Sequence, residues 1–445
     1  MLLDLLTGLA LGASACGPLD LDTALALAAA RSDEVAIREA EVSAAHADEA
    51  LAAALRVLPS ASATLLLGPA PRARGSVTDS PDDNRSLRHL GPFGRAEVQA
   101  VQPLYTFGRL EAAADAARAG VRAREALAGD TAAQVQLRVV QLWWGTALAR
   151  RLLAVAADVA EALDEAERRV DKALESGDGE VVPADRQRLR LFRGQLRLRE
   201  AEARKGLELA RLALAATLGL EPARLSLREE PLEAPPGSAP DEARALADAE
   251  RRRPDLRALD AAIAAREAEV RSEEAARWPQ LFLAGVFRYG LAPNRDIQRN
   301  PWVHDDFNLL EVGAAVGLRQ DLALSLLSAR AEKARAERAT LLLQRAGLAR
   351  LVRVQVSGTL AELRAAQVRA AAARDALAAG RALFRAVRLD FAAGLVEARI
   401  LLESYALFVQ SQLDAAQADH DLLVARARLD QVTGEPPRRS ATCEP

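Results

Sequence analysis

Histidine and cysteine, the side chains that most often bind metals or act as nucleophiles, are few and scattered in this sequence. The four histidines and two cysteines have neither metal-ligand nor redox spacing; they are His46, His89, His304, His420, Cys16 and Cys443. The carboxylates are numerous, but they are spread along segments with helical patterns, so no acid–base pair can be identified. The sequence therefore predicts a protein that is not an enzyme and that holds no metal or other cofactor.

The N-terminus has the character of the apolar part of a secretory signal. Residues 1–15 (MLLDLLTGLALGASA) carry one charge, Asp4, and no positively charged start, which an incorrectly assigned start codon would explain. Ala13 and Ala15 satisfy the small-x-small rule for cleavage before Cys16. The stretch around Cys16 also resembles a lipobox, although Ala13 stands where that motif prefers Leu. We therefore expect a signal segment over 1–15 and treat Cys16 as a candidate for lipid attachment.

Composition favours long helices. Half of the residues are apolar, yet only 4% are aromatic, and the formal net charge is −3 with both signs interspersed. Such a mixture is more typical of long helices and coiled coils than of a β-sandwich or an α/β enzyme. No basic face is implied, so nucleic acid is not an expected partner. Beyond the first fifteen residues no stretch of about 18 uncharged apolar residues occurs, and no transmembrane helix is expected.

The chain contains an internal repeat of about 215–220 residues. Four landmarks recur in the same order: Pro59 with Pro279, Gln102 with Gln320, Gly179 with Gly394, and Gly219 with Gly434. The Pro- and Gly-rich stretch 231–240 is typical of a linker. We therefore expect a first repeat over 16–230, a second repeat over 241–434, and a C-terminal tail over 435–445.

Each half has the pattern helix, two strands, very long helix, tight turn, long helix. The predicted helices are 20–57, 108–176 and 185–218 in the first half and 241–277, 323–391 and 395–432 in the second. At 1.5 Å per residue the segments 108–176 and 323–391 would each be roughly 100 Å long, more than a compact domain needs. The return helices carry coiled-coil spacing. The turns are expected at 176–184 and 391–397.

Period-two alternation predicts two strands in each half. The predicted strands are 60–68, 95–104, 280–289 and 308–319. Alternation is clearest in the last of these, where Leu310, Val312 and Val316 point one way while Glu311 and Arg319 point the other. One face of each strand is therefore expected to be apolar and the other polar or small.

Four such strands match the length that crosses a bilayer when tilted. An open sheet cannot lie in lipid, because its edges leave backbone amides and carbonyls unpaired, so it must close with copies of itself. Three copies would supply twelve strands, an even number within the range of outer-membrane barrels. The expected fold is mainly α with a transmembrane β-barrel part. Duplicated coiled-coil hairpins and four strands per protomer would build a 12-stranded barrel and an α-helical tunnel in a homotrimer.

Several motifs resemble those of the TolC-like outer-membrane efflux family. They are 102–109 (QPLYTFGR) at the first strand-to-helix junction, 253–256 (RPDL), 276–279 (ARWP) before the third strand, and 391–394 (FAAG) at the second turn. The resemblance covers about 20–434, and it implies a passive exit duct in the Gram-negative outer membrane that extends into the periplasm. Such ducts are homotrimers that serve a tripartite efflux or type I secretion system.

The resemblance also implies partners, and two other classes of protein remain as alternatives. Family members receive cargo from an inner-membrane pump through a periplasmic adaptor (membrane fusion) protein. The turns of this chain, with Gly179, Val181, Gly394 and Leu395, would contact that adaptor. A soluble coiled-coil scaffold would leave the alternating strands unexplained. A periplasmic adaptor would have one helical hairpin, whereas this chain is predicted to have two.

A gate at the tip of the tunnel is a further implication of the resemblance. The family places acidic residues six and nine positions after the second turn glycine, which are Ile400 and Glu403 here, so only Glu403 would form a carboxylate ring. Asp185 corresponds to a family aspartate that helps to lock the closed state. Two plainer interpretations stay open: Glu403 as a solvated surface charge, and Asp185 as a residue that favours a helix start.

Overall fold

The computed structural model describes residues 18–76, 79–82, 89–176, 182–235, 237–298, 300, 302–393 and 395–435. The predicted signal segment 1–15, Cys16, Gly179, Val181 and Gly394 lie outside the described residues, as does most of the tail.

The two halves of the chain have the same order of elements. In the first half these are α1 (Leu21–Arg31), α2 (Asp33–Ala54), β1 (Ser60–Pro71), β2 (Leu90–Tyr105), α3 (Arg109–Ser176) and α4 (Pro183–Thr217), then a short 3-10 helix at Pro222–Arg224. In the second half they are α5 (Glu242–Arg252), α6 (Pro254–Ala275), β3 (Gln280–Leu291), β4 (Leu309–Arg319), α7 (Leu324–Ala392) and α8 (Ala398–Thr433). The long helices have 68 and 69 residues and contain no proline, which would interrupt their hydrogen bonding.

The first helical segment of each half is broken, although the sequence predicts one unbroken helix in each case. The break lies at Ser32, with φ −66° and ψ 127°, and at Arg253, with φ −61° and ψ 124°. At Arg253 the cause is local, because the ring of Pro254 excludes the helical conformation from the residue before it. Asp20 and Asp241 cap the helices α1 and α5 by accepting hydrogen bonds from backbone N–H groups of the first turn.

One compact unit comprises Met1–Ala40, Ala126–Arg257 and Ala346–Pro445. Its largest apolar cluster joins α1, the middle of α3 and the end of α4, and includes Leu25, Val139, Trp143 and Leu218. A second, smaller cluster joins α7 with the segment 231–240 and with α8. A third joins α7 with α5 and the start of α6. Burial of these aliphatic side chains supplies the main driving force for packing in this unit.

Glycines end α4 and α8 where these helices meet the two breaks. Gly219 and Gly434 have left-handed φ values of +63° and +73°, which residues with a Cβ adopt only with strain. A Cβ on Gly434 would lie 2.7 Å from the carbonyl carbon of Arg252, and one on Gly219 would lie 3.2 Å from the carbonyl oxygen of Arg31. Each return helix therefore ends against the broken helix of its own half.

The other unit comprises Glu41–Glu125 and Ala258–Arg345 and contains a four-stranded antiparallel sheet. The strand order is β1-β2-β3-β4, so the two predicted hairpins lie side by side in sequence order. Gln102 at the end of β2 donates a hydrogen bond to the carbonyl of Arg56 at 2.9 Å. Gln320 after β4 donates to the carbonyl of Arg277 at 3.3 Å, so the repeated glutamines have equivalent roles.

Candidate channel surfaces

The four-stranded sheet has one continuous apolar face. On β4 the side chains of Leu310, Val312, Val316 and Leu318 are 64–73% exposed. The strand register places further apolar residues in the same rows, among them Leu65 and Ala63 on β1, Ala96 and Val98 on β2, and Tyr289 and Phe287 on β3. Aliphatic side chains exposed in such a contiguous sheet face are unfavourable in water and mark an interaction surface.

The opposite face carries the charged residues of the strands together with small residues and a few apolar ones. Glu97, Arg288 and Glu311 occupy one row across β2, β3 and β4. The guanidinium of Arg288 donates from Nε to Glu97 at 3.2 Å and from Nη1 to Glu311 at 2.9 Å. The alternation predicted for β4 is thus observed, with Leu310, Val312 and Val316 on one face and Glu311 and Arg319 on the other.

Both outer strands of this sheet have an edge without a partner strand within the described residues. The order β1-β2-β3-β4 leaves one side of β1 and one side of β4 outside the hydrogen-bonded ladder. Such edges carry rows of N–H and C=O groups that favour pairing with another strand.

Aromatic residues cluster where the strands meet the helices. The ring of Phe107 lies 4.7 Å from that of Tyr105 and is stacked on Trp278 at 5.7 Å. Phe107 has a left-handed φ of +52°, which is strained for an aromatic residue. All three side chains are exposed, and girdles of aromatic residues are typical of the interfacial regions of outer-membrane barrels. The sequence motif marked this junction, but its backbone strain has no local sequence signal.

The predicted gate residue Glu403 lies in the second turn of α8 and is exposed. Its carboxylate accepts a hydrogen bond from Nη1 of Arg399, four residues earlier, at 3.2 Å. Ile400 is half-buried one turn before Glu403. The contact of Glu403 is local to its helix, so its roles as a pore residue and as a surface charge both stay predictions.

Asp185 is the third residue of α4 and has the contacts of a helix start. Its Oδ2 accepts a hydrogen bond from the backbone N–H of Val182 at 3.2 Å, and its Oδ1 accepts one from Nη1 of Arg188 at 2.8 Å. These contacts account for Asp185 within α4 itself. A locking role for Asp185 stays a prediction.

The second turn presents an apolar residue to solvent. Leu395 is 74% exposed, and its N–H donates to the carbonyl of Asp390 at 2.9 Å. A little further from the turn, Phe384 of α7 packs against Tyr405 at 5.1 Å and is stacked on Phe408 at 5.7 Å. Burial raises the pKa of Tyr405, and the negative charge of Asp158 adds to this. The apolar contacts thus hold α7 and α8 together close to the turn.

The RPDL motif joins three helices through the guanidinium of Arg253. This group pairs with both carboxylate oxygens of Asp255 in α6, at 3.0 and 2.7 Å. It also donates to the side chain of Gln355 in α7 at 2.9 Å and to the carbonyl of Val432 in α8 at 3.3 Å. Beside it lies a polar cavity of about 470 Å³ whose lining includes Asp130 and Glu362. Burial raises the pKa of Asp130, and the neighbouring carboxylate of Asp255 contributes to the shift. We assign the motif a structural role.

Within the described ranges, no cluster of three or more His, Cys, Asp or Glu residues is suited to a metal ion. In the same part of the chain, no helix combines the length and apolarity needed to span a membrane.

Comparison with known proteins identifies the class of this protein. Residues 245–435 match the family model of the outer membrane efflux protein. No curated protein sequence gives a significant match. In structure the chain is similar to the outer-membrane channel OprN, with 18% identity, a TM-score of 0.73, and 93% of this chain and 89% of that chain covered.

Two further solved structures show the same fold. The outer membrane protein VceC from Vibrio cholerae has 15% identity and a TM-score of 0.73, with 94% of this chain and 97% of that chain covered. The CmeC outer membrane channel of Campylobacter jejuni has 12% identity and a TM-score of 0.75, with 93% and 85% covered.

Fold and sequence together define a channel protein of the outer membrane, a class of ducts rather than of enzymes. The second half of the chain matches the outer membrane efflux protein family in sequence, and nearly the whole chain has the fold of solved outer-membrane channels. The predictions of an exit duct for efflux and of a place in the outer membrane extending into the periplasm are thereby confirmed.

Proposed function

We propose that this protein is the outer-membrane component of a tripartite efflux or type I secretion system. Three copies form a homotrimer in which twelve strands close a barrel and the long helices line a tunnel. The trimer is a passive duct and catalyses no reaction. It receives cargo from an inner-membrane pump through a periplasmic adaptor protein.

The observation that carries this proposal is the sheet with one apolar face and two open edges. Backbone groups at a sheet edge find no water in the hydrocarbon core of a bilayer, so a sheet spans lipid only when it is closed. The described part of one protomer has a sheet of four strands, which are too few to close around a lumen. Copies of the same chain supply the missing strands, with the apolar face toward lipid and the charged face toward the lumen.

Apolar residues on the helices support assembly with further copies. On α4 Leu191 and Leu198 are 62% and 74% exposed and are seven residues apart, the spacing of a coiled-coil seam. On α7 Val354 and Val368 are each 70% exposed and are two such repeats apart. These side chains would be buried against a neighbouring protomer.

Specific roles at the helical turns and at the N-terminus extend the proposal. The turns, with Gly179, Val181, Gly394 and Leu395, contact the adaptor. Glu403 and Ile400 form an acidic ring and an apolar collar at the tunnel tip, and Asp185 helps to hold the closed state. The segment 1–15 directs export, after which Cys16 is the site of lipid attachment.

A size measurement on the extracted protein tests the assembly. The purified chain in mild detergent should have a protein mass of about three protomers by light scattering, and it should conduct ions in a planar bilayer. A stable monomer that retains its full β-sheet signal would contradict the barrel. A soluble oligomer found outside the membrane fraction would instead favour the coiled-coil scaffold.

A further inference from the structure

We propose that Glu97, Arg288 and Glu311 form a charged band in the lumen of the barrel and set the ion selectivity of the outer-membrane part of the duct. This inference rests on the proposed function, because the band faces a lumen only when copies of the sheet close. It concerns the strands, and it is independent of any gate at the helical turns.

The strand register places the band across the whole sheet. Thr64 of β1 is paired with Glu97, Glu97 with Arg288, and Arg288 with Glu311. The two hydrogen bonds of Arg288, at 3.2 and 2.9 Å, link the three charged side chains directly. Since these bonds span 191 and 23 residues of sequence, the band exists only in the folded sheet.

The band is bordered on the side of the helices by two uncharged rows of the polar face. The next row of the same face lies two residues further along each strand, toward the helices. It contains Ser62, Gln99, Val286 and Gly313. The following row contains Ser60, Val101, Ala284 and Ala315. Because the residues of these two rows are uncharged, the band dominates the electrostatic field in this part of the lumen.

Closure of the barrel would turn three bands into a charged collar. Paired residues lie along a line perpendicular to the strands, so a strand tilt of about 40° inclines each band to the membrane plane. Three gaps of about 4.8 Å make each band about 14 Å long, and it climbs about 9 Å along the pore axis. The three bands then surround the lumen, each inclined to the membrane plane by the strand tilt. Every permeating ion therefore passes the charged side chains.

The charge of the collar is negative. Each band carries two carboxylates and one guanidinium, so its charge is −1 − 1 + 1 = −1, and three copies give −3. Arg95, the nearest cation on the same face of β2, is directed toward the distal loop, where it donates to the carbonyl of Asp306 and lies 3.7 Å from its carboxylate. A ring of negative charge attracts cations and repels anions. The barrel should therefore prefer cations, and Arg288 should moderate that preference.

Permeability ratios of the trimer in a planar bilayer test this inference. All measurements are made in a Glu403→Gln background, so that a carboxylate ring at the tunnel tip does not contribute. The purified variants are compared under a potassium chloride gradient. Glu311→Gln neutralises the collar from −3 to 0, and the ratio of potassium to chloride permeability should fall toward one. Arg288→Gln changes the collar to −6, and the ratio should rise by about two-fold or more.

Two further variants provide matched controls. Glu311→Asp keeps the charge and should leave the ratio within the experimental scatter. Thr64→Glu adds a carboxylate at the fourth position of the band without breaking the Arg288 pairs, and it should raise the ratio as Arg288→Gln does. If the Arg288→Gln variant fails to assemble, the Thr64→Glu and Glu311→Gln variants should still shift the permeability ratio in opposite directions.

The outcomes separate this inference from the proposed function. A chain that forms no conducting trimer would contradict the proposed function. A conducting trimer whose permeability ratio is the same in Glu311→Gln and Thr64→Glu would leave the duct intact and overturn the charged band. Opposite shifts in these two variants, with no shift in Glu311→Asp, would support it.

Discussion

Substitution of the two helix-terminal glycines tests the packing of the repeat. Gly434 and Gly219 occupy equivalent places, yet a Cβ would meet different surroundings at each. At Gly434 three backbone atoms of Arg252 and Arg253 would lie 2.7–2.9 Å from the new atom. At Gly219 the nearest atom would be the carbonyl oxygen of Arg31 at 3.2 Å, which needs only a small shift.

These geometries give different expected losses of stability. The left-handed φ costs alanine about 1–2 kcal/mol at either position. A more restricted unfolded chain offsets up to about 1 kcal/mol of this. At Gly434 the backbone of the α5–α6 break must also move, and we expect Gly434→Ala to destabilise by about 3 kcal/mol and Gly219→Ala by about 1 kcal/mol.

Thermal unfolding of the detergent-extracted protein, followed by far-ultraviolet circular dichroism, provides the measurement. The control is Gly206→Ala, since Gly206 is exposed within α4 and a Cβ there meets no atom within 4 Å. Alanine at this position should stabilise the helix by about 0.5–1 kcal/mol. The midpoints should rank Gly206→Ala, unchanged protein, Gly219→Ala and Gly434→Ala from highest to lowest. A midpoint for Gly434→Ala at or above that of Gly219→Ala would refute the reasoning.

Three further predictions concern the gate, the adaptor and pH. Glu403→Gln should weaken both the cation selectivity of the channel and its block by multivalent cations, and Ile400→Asp should strengthen both properties. Single-channel recording would measure them. If neither variant changes either property, Glu403 is a surface charge. Cysteine at Leu395 should crosslink to an adaptor, and labelling of intact cells by an impermeant reagent would instead place this turn outside the cell. Because burial raises the pKa of Asp130, its ionisation at neutral pH opposes folding. Asp130→Asn should therefore raise the unfolding midpoint slightly at neutral pH, and this gain should vanish below the unfolded-state pKa of about 3.9. A gain that grows toward acid pH would contradict this prediction.

Much of the fold could be predicted from local patterns. Alternation along Leu310, Val312 and Val316 identified a strand because side chains of a strand point to opposite faces in turn. The long helices were predicted because Ala, Leu, Arg and Glu continue without proline. The duplicated prolines and glycines then placed the ends of the elements to within a few residues.

The breaks and the sheet register could not be predicted in the same way. Ser32 interrupts a helix without any proline, and its extended backbone fits the site where Gly219 ends α4 against Arg31. Arg288 lies 191 residues from Glu97, and their pairing depends on the register of β2 with β3. Alternation puts each charge on the polar face, but only the pairing of strands brings them into one row.

The left-handed backbone at the strand-to-helix junction is a further feature that local patterns did not indicate. Leu58 and Phe107 have φ values of +47° and +52°, although neither residue type favours that region. The backbone N–H of Leu58 donates to the side chain of Gln102, and the ring of Phe107 is stacked on Trp278. These contacts between distant segments hold conformations that the residues would not adopt alone.

Disulfide crosslinking between the outer strands tests the central claim, closure of the sheet with two further copies, most directly. Ser62→Cys on β1 is combined in turn with Glu311→Cys, Gly313→Cys or Ala315→Cys on β4, because a side chain at any of these four positions lies on the polar face. On oxidation in the outer membrane, at least one pair should give covalent dimers and trimers in a denaturing gel, and no larger product. The absence of intermolecular products from every pair, or a ladder that continues beyond the trimer, would contradict a closed barrel of three copies.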